Sequence, residues 1–163
     1  MGIVEQRLAE LGITLPTPSE PKFSYLHCNQ TGNLVFVSGQ DCRIDGTLMY
    51  EGKLGRELSI EQGQAAARQA AINCLAVLKQ YLGDLDRVVK IVKLLGFVNS
   101  APGFADQPYV MNGASDLFEQ VFGKAGKHAR SAIGTSELPF HTPVEIELIV
   151  EVRGETADAQ GEG

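Results

Sequence analysis

Residues 144–152, Val-Glu-Ile-Glu-Leu-Ile-Val-Glu-Val, alternate with a period of two. Val144, Ile146, Leu148, Val150 and Val152 share one face, while Glu145, Glu147 and Glu151 fall on the other. A stretch of this kind folds as a strand with one face committed to a core, because a slip of one residue would turn every valine outward. Upstream, Arg130 stands among small residues in Ala129-Arg130-Ser131-Ala132-Ile133, followed by Glu137-Leu138-Pro139. If these two segments pair as neighbouring strands, a guanidinium lies beside a carboxylate in one pocket. The first would hold a small acid and the second would direct a water molecule.

The remaining elements follow from periodicity and punctuation. Ile3, Val4, Leu8 and Leu11 recur at helical spacing and stop at Gly12, and Pro16, Pro18 and Pro21 then force an extended connector. Phe23–Cys28 reads as a strand, Thr31-Gly32-Asn33 as a turn, and Leu34-Val35-Phe36-Val37 as a strand covered on both faces. Residues 41–58, with Gly46, Gly52 and Gly55, form a hairpin or irregular excursion. Ser59-Ile60-Glu61-Gln62 is a capping box that opens a helix running to about Leu82, where Gly83 ends it. Arg87–Val98 is a long strand, apolar on both faces, and Pro108–Phe122 is a second helix with Val110, Ala114, Leu117, Phe118 and Val121 inward. Gly154–Gly163 is expected to be disordered.

Two helices can cover one face of such a sheet, and the other face keeps apolar residues without an intrachain partner. Burying a few hundred Å2 of them at ~25 cal/mol per Å2 favours self-association in a closed ring.

With 163 residues, 44% apolar and 21% charged, the chain suits one domain with a real core. A net charge of -6, with Lys and Arg scattered, speaks against nucleic acid or a membrane surface as partner. Cys28, Cys42 and Cys74 are widely spaced and form no C-x-x-C pair, so they read as buried apolar residues of a reduced, cytoplasmic protein. Glu5, Arg7 and Glu10 interrupt any signal-peptide core, and no run approaches the ~20 apolar residues of a membrane span. His27, His128 and His141 lack metal-ligand spacing, and His128 reads as a surface or interface residue despite its closeness to Arg130.

Three blocks together resemble the Rid family of reactive intermediate deaminases, also called YjgF-like and formerly L-PSP endoribonuclease-like. They are Tyr25 followed by Leu34-Val35-Phe36-Val37-Ser38-Gly39-Gln40; Gln64 to Leu75 with Asn73; and Ala129-Arg130-Ser131, Leu138-Pro139 and Val144-Glu145-Ile146-Glu147. The resemblance covers roughly residues 21–153, leaving residues 1–20 as an N-terminal helix and Pro-rich connector and residues 154–163 as a tail. It implies an α+β, chorismate-mutase-like fold: a mixed β-sheet with two main helices on one face, plus the short N-terminal helix. It further implies a homotrimer with ligand clefts between subunits, and no metal or organic cofactor. In such a cleft Arg130 would clamp a substrate carboxylate and Glu145 would position the attacking water. Tyr25, Ser38 and Gly39 would line and shape the pocket, and Ala132 would offer backbone polar groups. The chain departs from the deaminase pattern at Ala132, commonly Cys, and at Phe23-Ser24, commonly Gly-Pro.

By spacing alone Arg130 is a solvated or ion-paired residue and Glu145 the solvent face of a strand; the resemblance turns both towards ligand chemistry. The function implied is hydrolytic deamination of enamine or imine acids, of the 2-aminoacrylate or 2-imino acid kind, to 2-oxo acids and ammonia. The alternative is a non-catalytic binder of small 2-oxo acids in the same cleft. Endoribonuclease action, suggested by the older family name, fits the acidic balance and the lack of a basic groove less well.

Overall fold

The computed structural model describes residues 2–154, so most of the expected disordered tail lies outside the described residues. Helix α1 (Ile3–Glu10) is followed by strands β1 (Cys28–Thr31) and β2 (Leu34–Gln40) and by a short hairpin, β3 (Arg43–Ile44) and β4 (Thr47–Leu48). Then come α2 (Ile60–Leu82), β5 (Val88–Asn99), α3 (Gln107–Phe122), β6 (Ala129–Thr135) and β7 (Val144–Val152). The main sheet runs β1-β2-β7-β5-β6; β5 and β6 are parallel and the other neighbours antiparallel. The fold is the expected α+β arrangement, a mixed sheet with α2 and α3 on one face.

The long helix forms where its cap predicts. Ser59 accepts from the Gln62 amide while the Gln62 side chain accepts from the Ser59 amide, and the helix ends where Gly83 takes a φ of 80°. Ala66, Ala67, Ala70 and Ala71 are fully buried, and their small side chains let α2 approach β7, β2 and α3 closely. At the crossing of α2 and α3 there is room only for Gly113, since a Cβ there would stand 2.1 Å from the Gln64 carbonyl oxygen. Strand β7 buries Val144, Ile146, Leu148, Val150 and Val152 and turns Glu145, Glu147 and Glu151, with the half-buried Ile149, to the other face.

Helix α1 is tied into this core. Val4 and Leu8 are buried in it, and the Asp86 carboxylate accepts from the amides of Ile3 and Val4, both at 2.9 Å. These bonds, Val4's first, hold the Asp86 carboxyl below its ordinary value. Arg7 donates to the Val121 carbonyl at 3.0 Å, and Glu5 pairs with Lys79.

Two expectations need correction. Pairing begins at Cys28, not Phe23: Phe23, Tyr25 and Leu26 are exposed, and residues 22–24 bend. A β-prone composition makes no strand where no neighbour accepts its ladder. Strand β2 is not covered on both faces within one chain either. Val35 and Val37 are buried beneath the helices, whereas Leu34 and Phe36 on the opposite face are 36% and 44% exposed. Val89 and Ile133 add to this open apolar surface. The three cysteines are buried as expected, and burial pushes the Cys28 thiol up to about 11. Among the described residues no helix is long and apolar enough to cross a membrane.

Candidate functional site

Arg130 lies on the edge strand β6, level with Leu94 of β5, which in turn is level with Leu148 of β7. Leu94 and Leu148 are buried under the helices, so Arg130 belongs to the helix side of the sheet. Its Nη1 donates to the Asn112 Oδ1 at 2.9 Å and the Ser115 Oγ at 3.2 Å, both on α3. That uses both hydrogens of Nη1. Among the described residues Nε and Nη2 have no hydrogen-bond partner, which leaves one complete two-donor edge for a carboxylate.

Glu145 sits elsewhere. It is level with Phe97 of β5, which is level with Ile133 of β6, and all three belong to the face turned from the helices. Relative to Arg130 it is displaced by three residues along the strand, about 10 Å, and by two strand spacings, about 9–10 Å, on the opposite face of the sheet. The expectation that the segments carrying Arg130 and Glu145 are neighbouring strands, joining both groups in one pocket, is therefore corrected. Strand β5 runs between them, because the chain crosses over through α3 to lay β6 parallel to β5 and then returns to β5's other edge as β7.

Each charged group has its own surroundings. Around Glu145 the backbone of β2 comes so close that a Cβ on Gly39 would stand 2.9 Å from the Glu145 Cδ and 3.0 Å from its Oε2. A side chain at this position would have to push the Glu145 carboxylate aside. Burial first, then the negative charges of Asp41 and Glu147, raise the Glu145 carboxyl above its ordinary value. Among the described residues no side-chain or backbone donor hydrogen-bonds to it, so its oxygens are open to water. Ser38 donates to the Leu26 carbonyl at 2.5 Å, while its own amide donates to the His27 carbonyl at 2.8 Å. Tyr25 is half-exposed, with its ring edge-on to His27 at 6.4 Å. Ala132 is on Arg130's strand, level with Gly96, at the outer edge of the sheet where alternate backbone groups have no neighbour strand. Of the six expected site residues, Gly39 and with it the neighbouring Ser38 lie against Glu145, Arg130 and Ala132 share the helix side of β6, and Tyr25 stands half-exposed beside His27.

Asn112, Ser115 and Asp41 escaped the sequence reading. Asn112 and Ser115 are three apart on α3 and so share a helix face, a signal that resembles an ordinary solvated stripe. Among the described residues no group of three His, Cys, Asp or Glu side chains is placed to hold a metal ion.

The fold defines a class. Residues 5–152 match the family described as "YjgF/chorismate_mutase-like, putative endoribonuclease". The chain belongs to this YjgF/Rid family. It is 45% identical over 152 residues to Protein TCP17 of Trypanosoma cruzi, covering 93% of this chain and 95% of that one. It is 31% identical over 139 residues to the 2-iminobutanoate/2-iminopropanoate deaminase of Dermatophagoides farinae, covering 85% and 93%. The crystal structure of Atu1372 from Agrobacterium tumefaciens, a protein of unknown function, superposes with a TM-score of 0.87 at 43% identity over 93% of each chain.

Proposed function

We propose that the protein hydrolyses small imine or enamine acids to 2-oxo acids and ammonia, at a site assembled from two copies of the chain. The observation that carries this reading is the split between the half-sites. One chain presents an unspent two-donor edge on Arg130 at the rim of its sheet, and an unbonded, raised carboxyl on Glu145 on the open face. Neither completes the chemistry alone, and the apolar open face of Leu34, Phe36, Val89 and Ile133 offers the surface on which a second copy brings them together. The mite relative's name supports the substrate class.

In the proposed reaction Arg130 binds the carboxylate of R–C(=NH)–COO⁻ through Nε and Nη2, which fixes the imine carbon in place. Glu145 takes a proton from water as the oxygen bonds to that carbon. That proton passes to the imine nitrogen to give a carbinolamine; the added hydroxyl then gives its own proton to the same nitrogen as the C–N bond breaks, so that ammonia leaves and the C=O of the 2-oxo acid forms. Free imines hydrolyse unaided, so a thousandfold acceleration needs only about 4 kcal/mol.

The test is direct. An amino-acid oxidase generates the imine, and release of the 2-oxo acid is followed with and without the protein. The expected result is a faster release that Arg130→Ala and Glu145→Gln each abolish. No acceleration over buffer across several side chains would reject catalysis. Thermal stabilisation by 2-oxo acids without turnover would then establish the binding alternative, which the departure at Ala132 keeps in view.

A further inference from the structure

His128 enters none of the chemistry above, yet it closes a chain of hydrogen bonds that ends on Arg130. Its Nδ1 lies 2.7 Å from the Gly126 carbonyl oxygen, which can only accept, so Nδ1 carries the hydrogen. In the neutral ring Nε2 is then an acceptor, and the Ser115 hydroxyl at 2.9 Å donates to it. With its hydrogen so directed, the Ser115 oxygen turns a lone pair to Arg130 Nη1 at 3.2 Å. The ring itself is held edge-on against the buried Phe118, with centroids 6.0 Å apart and planes at 88°. Burial pushes the imidazole below its ordinary value and the Arg130 cation adds to this, while the Gly126 carbonyl pulls the other way, so the ring is neutral near pH 7. The adjacent Lys127 is engaged with Glu119 of α3 at 3.6 Å.

We propose that His128 is a positioning residue: acting through Ser115, it sets the rotation of the Arg130 guanidinium so that the Nε–Nη2 edge meets a ligand carboxylate. The proposal rests on the reading of Arg130 as a carboxylate clamp. Asn112 restrains the same nitrogen from a second direction, and two acceptors fix a planar fork where one would leave it free to swing. Removing the acceptor at His128 frees the Ser115 hydroxyl to turn, and the second restraint is lost without any group that touches the ligand being changed.

The full-length chain is titrated with pyruvate by calorimetry, and thermal midpoints are measured alongside. Ser115→Ala and His128→Ala are each expected to weaken binding about tenfold, the loss of one hydrogen bond to a charged group. Because both act through one relay, the double variant should bind no more weakly than the worse single one. His128→Gln, whose amide oxygen can still accept from Ser115, should recover most of the affinity. Wild-type affinity in Ser115→Ala and His128→Ala, alongside lost binding in Arg130→Ala, overturns the relay alone. So does a lowered thermal midpoint in His128→Ala with unchanged affinity, since the ring would then serve only packing against Phe118. Unchanged binding in Arg130→Ala, or none in the wild type, overturns the underlying reading and the relay with it.

Discussion

The two ends of the proposed site differ in how their charge is held. Arg130 is anchored: two side chains of α3 take both hydrogens of one nitrogen and leave the remaining edge pointed and unspent. Glu145 is the reverse, a carboxyl with no donor bound to it among the described residues, pressed on by the backbone at Gly39 and repelled by Asp41 and Glu147. A group that must grip a ligand gains from a fixed geometry. A group that must accept a proton gains from a carboxyl whose charged form is not already stabilised. On the proposed reading one sheet serves two unlike tasks with its two faces, the first against helices that supply polar partners, the second where burial and like charge dominate.

The contrast breaks most sharply in a mixing experiment. Arg130→Ala and Glu145→Gln should each lower imine hydrolysis by about 10²–10³, to near the unaided rate. If the half-sites come from different copies, co-refolding the two inactive chains should restore activity, since random mixing pairs an intact Arg130 with an intact Glu145 at about one site in four. Recovery of nothing would reject a site shared between copies. Phe36→Glu places a charge on the open face, where Phe36 is already 44% exposed, so the single-chain core should tolerate it. Light scattering should then show a loss of assembly, and activity should fall with it, while the circular dichroism stays folded.

Gly39→Ala sharpens the comparison at one end only. The added methyl would stand within 3.0 Å of the Glu145 side chain, so turnover should drop about tenfold while pyruvate affinity, carried by Arg130, changes little. The smallest effect is in the pH profile. Glu145 accepts a proton only when ionised, so the rate should rise with pH through a midpoint above the ordinary glutamate value of about 4.3. Asp41→Asn removes one repelling charge and should lower that midpoint without normalising it, because burial is the larger cause. The same raised carboxyl stabilises the fold below its ordinary value, and that contribution is lost as pH rises through the folded one. A profile that falls across this range would contradict the assigned base.

Local chemistry was readable from the chain where a residue's own neighbours decide its structure. The Ser59–Gln62 box fixed the start of α2, and the valine alternation fixed the faces of β7. Arg130 and Glu145 stood out through the motif around them. What escaped depends on partners distant in sequence. Nothing in residues 129–152 tells that β5 lies between β6 and β7, because an adjacent pair of strands and a pair split by a third have the same local pattern. Phe23–Cys28 has the composition of a strand but no ladder to join for most of its length. Asn112 and Ser115 look like a polar helix stripe until β6 is laid beside them.

The pairing of β6 with β5 also has a chemical meaning. Side chains alternate along a strand, so sliding β6 by a single residue would send Arg130 to the far side of the sheet and put Ala129 or Ser131 in its place. The strand is parallel, bonded along one margin only, and rich in small residues that do little to resist such slippage. Side-chain and terminal bonds oppose it: the Ser100 amide on the Thr135 carbonyl at 3.1 Å and the Thr135 hydroxyl on the Val98 carbonyl at one end, the Lys93 ammonium on the Ser131 hydroxyl, and the arginine's own grip on α3 near the other end. The side chain proposed to meet the ligand is thus also a lock on the alignment that would present it.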